Sequence, residues 1–119
     1  MARPVGTKKE ETRKRMLSAA SQSFRQFGYA GIGVDGIAKK AGVTSGAFYA
    51  HLGSKDRAFE SALAMGLDEV IDGIPIFRRE SGADWIEAFA DYYMGAAHRA
   101  DTACGCAMAS LTGEVVRAD

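Results

Sequence analysis

Between Ile37 and Asp56 the sequence gathers the side chains best suited to holding something: Lys39, Lys40 and Lys55, the adjacent hydroxyls Thr44 and Ser45, then Tyr49 and His51. These groups neutralise charge and exchange hydrogen bonds; they do not by themselves make or break covalent bonds. No paired carboxylates, nucleophile–base set or phosphate-cradling loop stands at a recognisable spacing elsewhere, so an enzyme is not expected. Cys104-Gly105-Cys106, with His98 and Asp101 nearby, raises a metal or redox-sensor reading. Two thiols one residue apart do not match structural zinc spacing, and there is no second pair of cysteines. Ordinary thiols are the plainer reading, and no metal or cofactor is expected.

Charge says what is to be held. The 119 residues have a formal net charge of zero, yet Lys and Arg outnumber Asp and Glu by 11 to 5 over residues 1–60 and are outnumbered 4 to 10 over residues 61–119. A basic front joined to an acidic back suits a chain whose first half meets a polyanion. Two solvated faces that happen to differ would look the same on charge alone. No apolar run is long enough for a transmembrane helix, and the polar, basic N-terminus is unlike a secretory signal. The expected place is the cytoplasm, with no membrane partner.

The elements that would position these residues are all helical. Residues 1–8 form a basic arm, and Thr7 with Glu10 has the form of a capping box. A first helix is predicted from Lys9 to Phe27, with Met16, Leu17, Ala20, Phe24 and Phe27 at helical spacing and Gly28 ending it. A second runs from Val34 to Ala41, and a third from Thr44 or Ser45 to Leu52. A fourth starts behind Ser54 and ends near Ile71, where Gly73 and Pro75 stop it. A fifth spans Ala83 to Ala100, and a last one begins at Ala107. No strand pattern competes, so the fold class is all-α.

The segment Ile37-Ala38-Lys39-Lys40-Ala41-Gly42-Val43-Thr44-Ser45-Gly46-Ala47-Phe48-Tyr49 joins two short helices through a glycine. Gly42 supplies a positive φ cheaply, Ala38 is small enough for close approach, and Ile37, Ala41, Val43 and Phe48 pin the pair from inside. This is the pattern of a helix-turn-helix, whose second helix enters the DNA major groove. Small residues around one glycine also occur in other αα-corners.

The flanks narrow the choice. From Gly42-Val43-Thr44 through Tyr49, His51 and Ser54-Lys55-Asp56, and upstream through Ala20, Phe24 and Phe27-Gly28-Tyr29, the sequence resembles TetR-family transcriptional regulators over roughly residues 10–60. The resemblance implies a three-helix DNA-binding domain over residues 1–53. It further implies that residues 54–119 hold a connecting helix and part of an α-helical ligand-binding and dimerisation domain. Thr44, Ser45 and Ala47 would face base edges; Tyr49 and His51 would contact phosphates, with Lys55 adding charge at a helix N-terminus. Lys39 and Lys40, with Lys8, Lys9, Arg13 and Lys14, would supply further phosphate contacts. Each has a plainer reading: Tyr49 as a half-buried core residue, His51 as a surface residue, the lysines as solvated charges. Phe48 and Leu52 belong to the core. One departure from the family pattern is Gly33, which stands where a Ser or Thr N-cap would also touch a phosphate.

In the second half, Trp85, Phe89, Tyr92, Tyr93, Met94 and His98 form an aromatic stripe. Such a stripe is core or, with Trp85, Phe89, Tyr92 and His98 as its lining, a pocket for a small-molecule effector. The implied function is a ligand-responsive repressor that binds a near-palindromic site on double-stranded DNA as a homodimer in its full-length form. An alternative of another class is a truncated regulator or interaction module that acts on a protein partner without productive DNA binding.

Overall fold

The computed structural model describes residues 7–103 and 105–118. Among them every regular element is helical: α1 (Lys8–Phe27), α2 (Val34–Ala41), α3 (Ser45–Leu52), α4 (Lys55–Ser81), a 3-10 turn (Gly82–Asp84), α5 (Trp85–Met94), α6 (Ala96–Ala100) and α7 (Ala107–Ala118). The expected all-α class is therefore the observed one. No helix of the described residues is long and apolar enough to cross a membrane.

α1 begins as its sequence asks. The Glu10 N–H donates to Thr7 Oγ1 at 3.1 Å, and the Thr7 N–H donates to Glu10 Oε2 at 3.2 Å, which satisfies two otherwise orphan donors reciprocally. Its apolar positions then meet the other helices. Met16, Ala20 and Phe24 from α1 are buried with Ile37, Ala38 and Ala41 from α2, Phe48 and Leu52 from α3, and Ala58, Phe59 and Ala62 from α4. Ala107 and Leu111 of α7 join the same cluster, so the acidic half of the chain helps close the core of the basic half. Phe24 lies 5.3 Å from Phe59, edge to face, and 5.8 Å from Tyr29, stacked. Phe27 departs from the expected stripe and is 53% exposed, because it falls at the turn where the chain leaves α1.

Arg25 ties distant parts of the chain together. Its side chain is 4% exposed, donates to the Gly105 carbonyl at 2.7 Å and pairs with Glu69 at 3.3 Å. Gly66 permits this approach: a Cβ there would stand 2.6 Å from the Ala107 Cβ and 2.7 Å from the Arg25 guanidinium.

The structure corrects two helix boundaries. α4 does not stop near Ile71 but runs through Gly73 and Pro75 to Ser81. A proline inside a helix removes one hydrogen bond and crowds the preceding turn. Packing beyond it outweighs that cost: Phe77, two residues past an exposed Pro75, lies 5.3 Å from Phe89 and 5.6 Å from Tyr92. Pro75→Ala is expected to stabilise the chain by about 1–2 kcal/mol, read as a higher midpoint in thermal unfolding by circular dichroism. An unchanged or lower midpoint would mean that the proline's bend is itself required. The second correction concerns the helix expected over Ala83 to Ala100, which divides at Gly95 with ψ 154°. The break frees the Tyr93 carbonyl, and His98 Nδ1–H donates to it at 2.8 Å.

Candidate nucleic-acid interface

The turn between α2 and α3 is built from backbone geometry. Gly42 sits in the left-handed region at φ 74° and ψ 31°. The Gly42 N–H reaches the Lys39 carbonyl at 3.1 Å and the Val43 N–H reaches the Ala38 carbonyl at 2.9 Å. That pair of bonds is a Schellman closure, which satisfies the carbonyls at the helix end while reversing the chain. A Cβ at Gly42 would meet nothing within 4 Å, so the glycine is needed for its φ and not for space. Gly42→Ala is expected to cost about 1 kcal/mol, measured by urea unfolding, through that φ alone. Arg15, which the sequence reading passed over, reinforces the turn from α1: its Nε donates to the Ala41 carbonyl at 2.9 Å.

α3 divides into two faces. Phe48 and Leu52 are buried, as expected, while Thr44, Gly46, Tyr49 and Ala50 are exposed and Ser45, Ala47 and His51 are half-buried. Tyr49 is 52% exposed, which sets aside its reading as a half-buried core residue. Gly46 and Ala50 belong to the open face but were not among the expected site residues; their small size, beside Ala47, is the signal that would have found them. A Cβ added at Gly46 would meet only Thr44 Oγ1, at 3.8 Å, so the helix backbone lies open there.

The two hydroxyls at the start of α3 are polarised in opposite senses. Thr44 Oγ1 accepts the Ala47 N–H at 3.1 Å as the N-cap, which leaves its own O–H to donate. Ser45 Oγ donates to Asp35 Oδ1 in the first turn of α2, which leaves its oxygen to accept. Asp35 is thus a further member of the site, and its bond to Ser45 locks the two helices together across ten residues of sequence. Gly33 caps α2 with its backbone only, as its lack of a side chain requires.

The expected cations stand on α1, α2 and α4. Lys39 and Lys40 are exposed in the last turn of α2, and Lys8, Lys9, Arg13 and Lys14 are exposed on the first half of α1. Residues 1–6 of the basic arm lie outside the described residues. Lys55 opens α4 behind its N-cap Ser54, and its ammonium stands 4.2 Å from the centre of the Tyr29 ring. The Tyr29 hydroxyl donates to Asp56, and that bond, then burial, then the carboxylate's charge raise its pKa above the ordinary tyrosine value. Tyr29 is thereby kept a neutral donor and a π-face for Lys55.

The expected effector residues lie apart from this surface. Phe89 packs on Phe77 and Tyr93, Tyr92 packs on Phe77 and His98, and Trp85 carries the Arg78 guanidinium at 5.8 Å. Cys104 lies outside the described residues. Cys106 is a free, half-buried thiol just before α7. Burial pushes the Cys106 thiol up, but the Ala109 N–H, the Tyr93 hydroxyl, the Met108 N–H and the Arg25 charge together bring it below the ordinary thiol value. Among the described residues no group of three His, Cys, Asp or Glu side chains is disposed to hold a metal ion.

Residues 16–62 match the family model described as bacterial regulatory proteins, tetR family. The chain is 42% identical over 64 residues to the HTH-type transcriptional regulator SrpR of Pseudomonas putida, covering 54% of this chain and 30% of that protein. It is 41% identical over 64 residues to the protein named Uncharacterized HTH-type transcriptional regulator TtgW of Pseudomonas putida, covering 54% and 48%. It is 35% identical over 66 residues to the HTH-type transcriptional activator FasR of Mycolicibacterium smegmatis, covering 56% and 30%. The match thus spans less than half the length of each of these relatives. No solved structure matches the chain. With the Gly42 turn and the buried Phe48 at its centre, the segment over residues 16–62 is similar to the N-terminal helix-turn-helix domain of bacterial regulatory proteins of the tetR family.

Proposed function

We propose that residues 7–53 read double-stranded DNA, with α3 lying in the major groove, and that the chain acts as a transcriptional regulator. The observation that carries this reading is the open face of α3, where two oppositely polarised hydroxyls stand beside small residues and an exposed tyrosine. Thr44 offers a donor to a base or phosphate acceptor, and Ser45 offers an acceptor to an exocyclic amine of cytosine or adenine. Tyr49, His51, Lys39, Lys40 and Lys55 supply phosphate contacts that set register, while Thr44, Ser45 and Ala47 choose sequence. In its full-length form the regulator binds as a homodimer to a near-palindromic operator, with half-sites about 34–36 Å apart. A small molecule held by the helices after α3 shifts the spacing of the two recognition helices and releases the DNA, which makes the protein a repressor.

Selection of the chain against random duplex DNA, repeated at several salt concentrations, tests this reading. The expected result is an enriched inverted repeat with affinity that falls steeply as salt rises. Weak, salt-sensitive binding with no enriched sequence would instead favour the interaction-module reading. Within an enriched site, Ser45→Ala should relax preference at one base pair by about 1–3 kcal/mol, read by competition between matched and mismatched duplexes. Equal discrimination by the variant would remove Ser45 from the base-reading set.

A further inference from the structure

Asp35 is the one acid in the sequence of α2 and α3, in a half of the chain where Lys and Arg outnumber Asp and Glu by 11 to 5. Other acids of that half have work inside the protein: Glu10 completes the capping box of α1, and Asp56 accepts from Tyr29. Asp35 is exposed in the first turn of α2, and among the described residues no cation forms an ion pair with it. Its Oδ1 accepts the Ser45 hydroxyl, which ties the carboxylate to the first residue of α3. Its surroundings are open, since a Cβ added at Gly33 would meet nothing within 4 Å and Gly36 bears no side chain. A carboxylate turned toward a polyanion weakens binding by repulsion unless it meets a donor there.

We propose that Asp35 is itself a base-reading residue, which accepts the exocyclic amine of a cytosine in the major groove. The assignment rests on the DNA-binding reading above and adds a residue of α2 to those of α3. Two oxygens joined by a hydrogen bond lie about 2.5–3.0 Å apart. Successive bases of one strand lie about 3.4 Å apart, so where Ser45 reaches one base edge, Asp35 stands at that base pair or the next. Chemistry then chooses the base. Guanine and thymine present acceptors in the major groove and repel a carboxylate. Adenine sets its N7 acceptor beside its amine, so it attracts one oxygen and repels the other. Cytosine presents an amine alone, for which a carboxylate is the matched acceptor. A purely structural part for Asp35, holding Ser45 and the start of α2, would be served equally by asparagine, whose carbonyl accepts the same bond.

Parallel selections of the chain and of Asp35→Asn from one pool of random duplex DNA test the assignment. The wild-type chain is expected to enrich a cytosine at one position of each half-site, where any other base lowers affinity about tenfold. Asp35→Asn keeps an acceptor for Ser45 but should reduce that preference to about twofold or less, or turn it toward adenine, which asparagine reads through N6 and N7. With the charge gone, binding to unrelated duplex should tighten about threefold. An enriched site without that cytosine, or a cytosine that Asp35→Asn selects as strongly as wild type, would overturn the assignment and leave the DNA-binding reading intact. No enriched sequence from the wild-type chain would overturn both.

Discussion

Phe48→Ala is expected to lower the stability of the chain by about 3–5 kcal/mol, the cost of emptying a large, fully buried site. Phe48 has no exposed surface and is one of two large apolar side chains that α3 commits to the core, the other being Leu52. Against a total stability of roughly 5–15 kcal/mol for a domain, that loss is a large share of what keeps the helix-turn-helix folded. Phe48→Leu, which retains most of the volume, should cost less than half as much. Urea unfolding followed by circular dichroism measures both. If Phe48→Ala cost under about 1 kcal/mol, α3 would be held by its turn and caps and not by packing, and its orientation would be far less defined than the buried contacts imply. The effect bears on function because Tyr49, on the open face, rests on Phe48, their ring centres 5.8 Å apart. Tyr49 and Ala50 are exposed neighbours of Phe48 in sequence and inherit their direction from it.

The parts of this fold that were legible from sequence are those with local causes. α2 runs from Val34 to Ala41 as expected because a glycine bounds each end and three buried residues fall on one face. The capping box at Thr7 and Glu10, the N-cap at Thr44 and the buried pair Phe48 and Leu52 follow from the same short-range rules. The misjudged elements are those where a distant contact decides. Pro75 reads as a stop, but Phe77 gains the rings of α5 only if the helix continues past it. Gly95 reads as one glycine in a periodic stretch, and nothing nearby announces that His98 will take the Tyr93 carbonyl.

The site divides in the same way. The residue types of α3 were visible, but Asp35 as the acceptor for Ser45 was not, since it required the two helices to be packed first. Arg25 reaches a carbonyl 80 residues away, and Tyr29 meets an acid 27 residues away; neither pairing leaves a periodic trace. A cavity of about 570 Å³ was missed for that reason too. Its lining comes from three stretches, residues 29–30, 56–63 and 114–117, which no local spacing brings together.

The largest expected effect on DNA binding comes from removing Tyr49 and Lys55 together. Under the proposed DNA-binding reading each meets a phosphate, one from the exposed side of α3 and one from the first residue of α4. A hydrogen bond to a charged partner is worth about 1.5–3 kcal/mol, so Tyr49→Phe and Lys55→Gln should each weaken binding about tenfold or more. The two lie on different elements, and their effects should add to a loss of roughly a hundredfold or beyond. Lys55→Gln removes a charge and should also reduce the slope of log affinity against log salt by about one; Tyr49→Phe removes none and should leave that slope unchanged. Both losses should be uniform across operator variants, in contrast with Ser45→Ala, whose effect falls on one base pair. Binding of an operator duplex, titrated at several salt concentrations with each variant, separates these signatures. A loss at Lys55→Gln that depends on sequence but not on salt would mean that Lys55 acts by positioning α3 through the Tyr29 ring instead of by meeting a phosphate. The same comparison with Tyr29→Phe, which keeps the ring and loses only the bond to Asp56, then distinguishes a lysine held in place for DNA from one consumed in holding the protein together.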